Sequence, residues 1–385
     1  MKVTFLGLEF AQENLGCEAL AYSFANELST IAQEMNIDCC YTAVAFAVNS
    51  SIKVPNSGQK VNCLRIRYKS IDFWKKLWKL FQESDVIFDF TGGDSFSDLY
   101  GKKRFYMATF IKVLAIKSRT KFILGPQTYG PYKNETVKKV AAWVIKRSSY
   151  VFARDIISQK YAMKLSQRDV FLASDVAFSL PYEKTKYHED NCYINVGFNP
   201  SGLLWHGGYS HAKLPLTVDY PDYCNRVLSE LISDSRYRVH LITHVGTNQG
   251  GGNENDYAVC CMLHEKYPQT ILADVFSSPM DAKSYISNMD IFIGARMHAT
   301  IAAFSSGVTT IPFSYSRKFE GLYSSVDYDY VVHACEETTL DAIKKTLQYI
   351  ADYQDIKIEV MKSMQKIFEL QDGFRMELRE ILKEI

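Results

Sequence analysis

Residues 290–313 read DIFIGARMHATIAAFSSGVTTIPF, and this stretch decides the fold. The apolar run at 291–293 predicts a buried strand, and the glycine that follows it lets the chain turn sharply. Small residues at 299–304 predict a helix that ends at Gly307. A second short strand is predicted at 309–312. A strand, a helix and a strand in this order are typical of a parallel sheet that is covered by helices.

Arg296 and His298 lie where the first of these strands turns into the helix. Unpaired backbone N–H groups and the positive end of the helix dipole favour anions at that position. The positive charge of an arginine there is repelled by the positive end of the dipole, and a bound carboxylate or phosphate would offset this repulsion. A surface arginine and a histidine bonded to nearby carbonyl groups would give the same pattern. We expect an anion site with a titratable group, because histidine ordinarily titrates near neutral pH.

The alternation of strand, loop and helix extends outward from this stretch over the whole chain. A polar, proline-led segment at 181–191 separates two sets of elements, and 385 residues are too many for one core. We predict an α/β fold of two Rossmann-like domains, similar to glycosyltransferase-B enzymes, with a ligand cleft between them. The predicted parts are an N-terminal domain at 1–185, a second domain at 190–350 and a C-terminal helix at 354–385 that packs back on the first domain.

Composition argues against several classes of protein. Lys and Arg number 44 against 43 Asp and Glu, and this net charge of +1 is unlike that of a nucleic-acid-binding protein. The nine cysteines have no zinc spacing, so we expect a reduced, cytosolic chain. His188, His206 and His211 share no metal-ligand spacing, and we predict neither a metal nor a cofactor. We also expect no signal peptide and no membrane span.

Glycines and polar side chains follow several predicted strands, at the end where ligands bind in such folds. In TGGDSFSDLYG at 91–101, the glycines let the backbone approach a ligand, and the carboxylates and serines could bond sugar hydroxyls. A turn-rich loop at 125–131 and the start of the first helix offer side-chain amides. Ordinary structural loops would look the same. The candidate sugar-binding residues are Asn14, Gly93, Asp94, Ser95, Asp98 and Gln127.

Three further residues could face the same ligand as Arg296. Arg317 and Lys318 stand in the first turn of the helix that follows the strand at 309–312, where they could add contacts to an anion. His244 ends a strand of its own and would face the cleft. A solvated helix end and a histidine bonded within the fold are the structural alternatives.

The segment WKKLWKLF, Trp74 to Phe81, predicts an amphipathic helix. Its tryptophans, leucine and phenylalanine share one face, and its three lysines lie off that face. Such a helix could dock on the anionic headgroups of a membrane. An ordinary helix that packs its apolar face on the core has the same pattern, and we favour that interpretation.

Taken together and in this order, the motifs resemble the polysaccharide pyruvyl transferase family over nearly the whole chain. The resemblance implies a fold that agrees with the prediction above. It also implies an enzyme that transfers pyruvate from phosphoenolpyruvate to two hydroxyls of a sugar, forming a ketal and releasing phosphate. The matching residues are 92–98, 125–131, Arg154, Asp155, Ser158, 174–178, 294–298 and 312–321.

The resemblance also implies roles for single residues. Arg296 and the backbone of Met297 would bind phosphoenolpyruvate, and His298 would be the essential acid or base. Asn199 stands where many relatives carry an arginine, at the end of the first strand of the second domain. The cations that open the later helix would then compensate for the missing charge at the donor site.

We therefore predict a phosphoenolpyruvate-dependent ketal pyruvyltransferase that acts on the precursor of a cell-surface polysaccharide, such as a capsule or exopolysaccharide. The expected acceptor is a lipid-linked oligosaccharide, reached from the cytoplasm at the inner face of the membrane. The alternative is a glycosyltransferase of the same fold that uses a nucleotide sugar, since fold does not decide chemistry. No acidic residue is evidently placed for a ribose, and Arg296 with His298 suits a small dianion.

Overall fold

The computed structural model describes residues 1–46, 51–54, 57–184, 192–209, 212–247 and 252–385. These residues form two compact units. Unit 1 comprises Met1–Gln12, Leu20–Ser179 and Ile367–Ile385, and unit 2 comprises Glu13–Ala19 and Leu180–Lys366. The division that we predict between 185 and 190 lies outside the described residues.

The elements of unit 1 alternate as the sequence predicts, except that three strands follow one another between residues 40 and 65. Its strands are β1 (Lys2–Leu6), β2 (Cys40–Ala45), β3 (Ile52–Lys53), β4 (Lys60–Arg65), β5 (Val86–Asp89), β6 (Lys121–Gln127), β7 (Tyr150–Ala153) and β8 (Phe171–Leu172). Its helices are α1 (Leu15–Glu34), whose first residues belong to unit 2, α2 (Ile71–Glu83), α3 (Lys102–Lys117), α4 (Glu135–Arg147) and α5 (Ile156–Ser166). In the described part, the sheet order is β3-β4-β2-β1-β5-β6-β7-β8, and only the β3–β4 pair is antiparallel.

Helix α2 shows why the alternation forms layers. The Ser70 side chain caps its first turn by accepting a hydrogen bond from the Phe73 N–H, and Phe73, Leu77 and Phe81 are buried in the core of unit 1. The lysines of this helix are exposed on its other side. In the segment from Trp74 to Phe81, Leu77 and Phe81 therefore pack on the protein core, whereas Trp74 is only partly buried.

Unit 2 repeats the pattern with fewer strands. Its strands are β9 (Ile194–Asn199), β10 (Gly208–Tyr209), β11 (Ala212–Lys213), β12 (Tyr237–Leu241), β13 (Ile271–Leu272), β14 (Ile291–Gly294), β15 (Thr309–Ser314) and β16 (Val332–His333). Its helices are α6 (Gly202–Trp205), α7 (Tyr220–Ser233), α8 (Asp256–Lys266), α9 (Pro279–Ile286), α10 (Met297–Phe304), α11 (Arg317–Ser324) and α12 (Thr339–Ala351). The described sheet is parallel throughout, in the order β13-β12-β9-β14-β15-β16, and β10 and β11 form a separate antiparallel pair.

The strand order reverses direction once in each sheet. In unit 1 the reversal lies between β1 and β5, and in unit 2 it lies between β9 and β14. The loops that leave two such strands diverge to opposite faces, which opens a crevice at the carboxyl ends of the strands. Asn199 pairs with Gly294 in register at this point in unit 2, two residues before Arg296.

The last helix, α13 (Tyr353–Lys383), contributes residues to both units. In unit 1, Phe374 packs against Phe24 and Phe152 at ring-centroid distances of 6.3 and 4.9 Å. Arg379 donates to Glu34 at 2.6 Å. In the part of the chain that the structure describes, no helix is long and apolar enough to cross a membrane.

Candidate functional site

Asn199 joins three strands of unit 2 at the point where the strand order reverses. Its Oδ1 accepts a hydrogen bond from the Arg296 N–H at 3.2 Å, and its Nδ2 donates to the Ile242 carbonyl, directly after β12, at 2.8 Å. The side chain is buried, with 1% of its surface exposed. Asn199 therefore fixes the start of the turn that leads into α10, and it contributes no charge.

The Arg296 guanidinium is held by a carboxylate that the sequence patterns did not single out. Its Nη2 lies 2.7 Å from Asp256 Oδ1 and its Nε lies 3.1 Å from both carboxylate oxygens. Nη2 also donates to the Glu254 carbonyl at 2.8 Å. Burial alone would lower the pKa of Arg296, but the charge and hydrogen bonds of Asp256 outweigh burial and raise it. Arg296 is therefore charged, and Asp256 balances its charge.

Asp256 is the centre of a larger arrangement. Its carboxylate also accepts from the Gly202 N–H at 2.9 Å and from the Val245 N–H at 3.0 Å. It is completely buried at the first position of α8. One carboxylate thus ties the loops after β9, β12 and β14 together. An acidic residue opening a helix is common, so the sequence signal for this role is weak.

His298 lies in the first turn of α10 and is partly exposed. The first turn of α1 packs on it so closely that a Cβ at Gly16 would lie 2.5 Å from the His298 Nδ1. Asn14 sets this turn, since its Oδ1 accepts from the Gly16 N–H at 3.0 Å. Residues 13–19 therefore belong to the surroundings of His298, although 279 to 285 positions separate them from it in the sequence.

The same segment is attached to the end of β12. Asn14 forms an isolated antiparallel bridge with Val245, and the Leu15 N–H donates to the His244 carbonyl at 3.3 Å. His244 is buried, and its pKa falls to about 3 because burial disfavours the charged form and the nearby charges of His298 and Arg296 act in the same direction. His244 is therefore neutral at physiological pH.

Two helices of unit 2 begin side by side at the carboxyl edge of the sheet, because β14 and β15 are neighbours. Met297 is the first residue of α10, and Arg317 is the first residue of α11, followed by Lys318. Both cations are half-buried. The first N–H groups of each helix have no acceptor within the helix, which favours an anion near them. The donor-side candidates therefore gather at one edge: Asn199, His244, Arg296, Met297, His298, Arg317 and Lys318.

The remaining candidates apart from Asn14 lie in unit 1, at the carboxyl ends of β5 and β6. The loop after β5 turns through left-handed backbone at Thr91, Gly92 and Gly93, with φ of +48°, +62° and +82°. Asp94 Oδ2 accepts from the Tyr100 hydroxyl at 2.7 Å, and Ser95 Oγ accepts from Arg104 Nη2 at 3.0 Å. Asp94 is thus partly exposed on a tightly turned loop, whereas Ser95 is buried beneath it.

Asp98 and Gln127 have structural partners. The Asp98 carboxylate accepts from the N–H groups of Lys133 and Asn134 at 3.1 and 2.9 Å, just before α4. Gln127 is fully buried, and its Nε2 donates to the Asp89 carbonyl at 3.0 Å. These hydrogen bonds give both residues a structural role that requires no ligand. Their contact with a sugar stays a prediction.

Two buried ion pairs lie near this loop, and the motifs assigned neither a role. Lys112 Nζ lies 2.5 Å from Asp89 Oδ1, and both groups are almost fully buried. Arg154 Nη1 lies 2.8 Å from Asp175 Oδ2, and its Nε donates to Thr128 Oγ1 at 2.9 Å. A metal site does not appear among the described residues, where no three His, Cys, Asp or Glu side chains converge.

Several solved structures have the same fold as this chain. Anabaena HepE in complex with UDP matches with a TM-score of 0.59 at 12% identity, over 100% of both chains. The UDP-GlcNAc 2-epimerase from Neisseria meningitidis matches with a TM-score of 0.59 at 12% identity, over 100% of this chain and 99% of that one. The trehalose 6-phosphate synthase from Burkholderia multivorans matches with a TM-score of 0.57 at 6% identity, over 100% and 97%. The predicted pair of Rossmann-like domains of the glycosyltransferase-B type is confirmed.

Sequence comparison identifies the family. No curated protein matches the chain at a significant level. The family model described as polysaccharide pyruvyl transferase matches residues 14–317, which include the motifs at 92–98, 125–131 and 294–298. Since this match covers most of the chain, the protein is an enzyme of the polysaccharide pyruvyl transferase family.

Proposed function

We propose that the protein transfers the pyruvyl group of phosphoenolpyruvate to two hydroxyls of one sugar, forming a cyclic ketal and releasing phosphate. The observation that carries this proposal is the meeting of a partly exposed histidine, His298, with two helix starts and half-buried cations at one sheet edge. A small donor with a carboxylate and a phosphate needs such surroundings.

In the proposed reaction, protonated His298 gives its proton to the methylene carbon of phosphoenolpyruvate, which becomes a methyl group. The adjacent carbon becomes an oxocarbenium-like centre, and the first sugar hydroxyl adds to it and loses its proton to His298. The second hydroxyl then adds to the same carbon as the bond to the phosphate oxygen breaks. Its proton leaves with the phosphate. A positioned acid of this kind contributes about 10²–10⁴-fold to a rate.

We propose that the donor is held by the backbone of Met297 and by Arg317 and Lys318, with Arg296 and Asn199 fixing the turn between β14 and α10. Support comes from the pairing of Arg296 with Asp256, which cancels most of the arginine charge. The net positive charge that a dianion requires must then come from the helix starts and from the cations of α11. His244 is close enough to sense the charge of His298, and it is itself neutral.

For the acceptor, we propose that Asp94 and Ser95 contact sugar hydroxyls, with Gly93 shaping their loop. Support comes from the left-handed turn after β5, on which Asp94 is partly exposed and Ser95 lies next to it. We propose a lipid-linked saccharide as the acceptor, handled in the cytoplasm. Gln127, Asp98 and Asn14 act in this proposal mainly by holding loops, since the Gln127 Nε2, the Asp98 carboxylate and the Asn14 Oδ1 already bond the backbone.

Ligand-dependent thermal stability tests this proposal. Phosphoenolpyruvate binds only the folded protein, so it must raise the melting temperature with a dependence on its concentration. Pyruvate and inorganic phosphate are the matched controls, because each carries one of its two anionic groups. Stabilisation by a nucleotide sugar without any by phosphoenolpyruvate would contradict the proposal and favour the glycosyltransferase alternative.

A further inference from the structure

Several aromatic and aliphatic side chains of unit 1 are exposed together on α2, α3 and the adjacent chain. Ile71 is 75% exposed, Phe46 is 52% exposed, Phe110 is 49% exposed and Tyr106 is 40% exposed. Helix α2 packs on the core through its opposite side, which carries Phe73, Leu77 and Phe81, and the described residues leave the Ile71 side uncovered. We call the exposed surface formed by Phe46, Ile71, Trp74, Tyr106 and Phe110 the α2–α3 face.

Ring contacts connect these side chains. Trp74 contacts Phe110 across the two helices at a centroid distance of 5.2 Å, and it contacts Tyr68 at 6.0 Å. Tyr68 in turn contacts Phe46 at 5.8 Å. The Trp74 indole N–H donates to the Tyr68 carbonyl at 2.9 Å, so its polar atom is satisfied while its ring remains partly exposed. These contacts join Phe46, Trp74 and Phe110 through Tyr68, and Ile71 and Tyr106 lie about one turn before Trp74 and Phe110 on their helices.

The chain around this face is strongly basic. Residues 65–83 and 99–110 contain nine basic side chains and two acidic ones, Asp72 and Glu83, and all eleven are exposed. The two carboxylates pair with Lys76 and Lys79. Because the whole chain carries only +1, the rest of it carries a net charge of −6. The basic residues are Arg65, Arg67, Lys69, Lys75, Lys76, Lys79, Lys102, Lys103 and Arg104.

We propose that the α2–α3 face docks on an anionic lipid bilayer. Aromatic and aliphatic side chains enter the boundary between headgroups and acyl chains, while surrounding lysines and arginines remain among anionic headgroups. A second copy of this chain fits the face less well, because a two-fold contact would bring two strongly basic surfaces together. Docking occurs through α2, but through Ile71 and Trp74 rather than through the buried face that includes Leu77 and Phe81.

Docking would also serve acceptor delivery. Helix α3 carries Arg104, which donates to Ser95 Oγ at 3.0 Å, so the face adjoins the loop at 91–101. A saccharide linked to a lipid would then meet that loop close to the membrane surface. Delivery of the acceptor rests on the proposed function, whereas binding to the bilayer does not depend on that function.

Vesicle co-sedimentation with the full chain tests the docking surface. We expect the protein to bind phosphatidylcholine vesicles that contain phosphatidylglycerol, and to bind vesicles of phosphatidylcholine alone far less. Ile71→Ser with Phe110→Ser should reduce the bound fraction roughly tenfold, and Lys69→Gln with Lys75→Gln and Lys103→Gln should do the same. Phe368→Ser is the matched control, since Phe368 of α13 is also 49% exposed and lies outside the face.

Added salt should weaken binding of the wild-type protein, because the attraction to anionic headgroups is screened. Equal binding to both kinds of vesicle, or equal binding of all variants, would overturn the proposal. A change of oligomeric state in the Ile71 and Phe110 variant with unchanged vesicle binding would show that a second copy covers the face. Binding to lipid needs no turnover, so loss of pyruvyl transfer with intact vesicle binding would contradict the proposed function alone.

Discussion

The backbone of Gly16 lies against the imidazole of His298, with room for a hydrogen atom and none for a methyl group. A Cβ at position 16 would stand 2.5 Å from Nδ1 and 3.0 Å from Cγ of that ring. Gly16 has no left-handed backbone that would require glycine, so the imidazole itself excludes a side chain there. The first turn of α1 therefore sets the position of the proposed acid.

Gly16→Ala should lower kcat about 10- to 100-fold, because a misplacement of the acid by about 1 Å is costly in a positioned site. The fold should remain, since alanine favours a helix over glycine by about 1 kcal/mol. Steady-state kinetics and thermal unfolding measure the two effects separately. Gly373→Ala in α13 is the control, because a Cβ there meets no atom within 4 Å. Wild-type turnover in the Gly16 variant would show that α1 does not position His298.

Asp256→Ala should destabilise unit 2 by about 3–5 kcal/mol, because it leaves the buried Arg296 charge without a partner. It also removes the acceptor of the Gly202 and Val245 N–H groups. Denaturant unfolding measures the change. Asp222→Ala is the control, since Asp222 lies 3.8 Å from Arg226 on the exposed side of α7, and such a pair contributes at most about 1 kcal/mol. Similar losses in both variants would contradict the structural role of Asp256.

Lys283 makes the stability of the fold depend on pH. Burial lowers its pKa from 10.5 to about 7, although its Nζ donates to the Leu180 carbonyl at 2.9 Å and lies 4.9 Å from the centre of the Tyr182 ring. Between these two pKa values the unfolded chain binds a proton that the folded chain does not. Stability should therefore rise as the pH rises from about 7 toward about 10. Below about pH 7 the folded protein carries the buried charge in full, and Lys283 adds no further pH dependence.

Lys283→Met should remove this cost and the associated slope. We expect it to stabilise the protein by about 1–3 kcal/mol at neutral pH and to have a smaller effect in alkaline solution. Unfolding by denaturant at several pH values checks this, with Lys344→Met on the exposed side of α12 as control. If the variant were less stable at neutral pH, the contacts of the charged Lys283 amine would outweigh the cost of burying it.

The strand and helix around residue 298 could be predicted closely from the sequence. The expected strand at 291–293 and helix at 299–304 correspond to Ile291–Gly294 and Met297–Phe304. Apolar periodicity and glycine placement are local signals, and they are sufficient to predict such elements. The order of these elements along the chain then predicts the fold class, because alternating strands and helices form parallel sheets.

The partners of the site residues could not be predicted in the same way. Asp256 lies 40 positions before Arg296, and Gly16 lies 282 positions before His298, so only the folded chain shows that they meet. The sequence shows only that Asn199 lacks the charge of an arginine, whereas its two hydrogen bonds to the ends of neighbouring strands explain its place. For the segment from Trp74 to Phe81, spacing could not distinguish a helix that packs on the core from one that docks on a membrane, because each requires one apolar face.

The most direct test of pyruvyl transfer by His298 is the mass of the sugar product formed from phosphoenolpyruvate and a panel of saccharide acceptors. The wild-type protein should add pyruvate less one water to an acceptor and release one phosphate for each product. His298→Ala should lower this rate by about 10²–10⁴-fold, whereas His264→Ala, in the last turn of α8, should not change it. Near wild-type transfer by the His298 variant would contradict its role as the acid, and transfer of a sugar from a nucleotide sugar instead of pyruvate would contradict the proposed reaction.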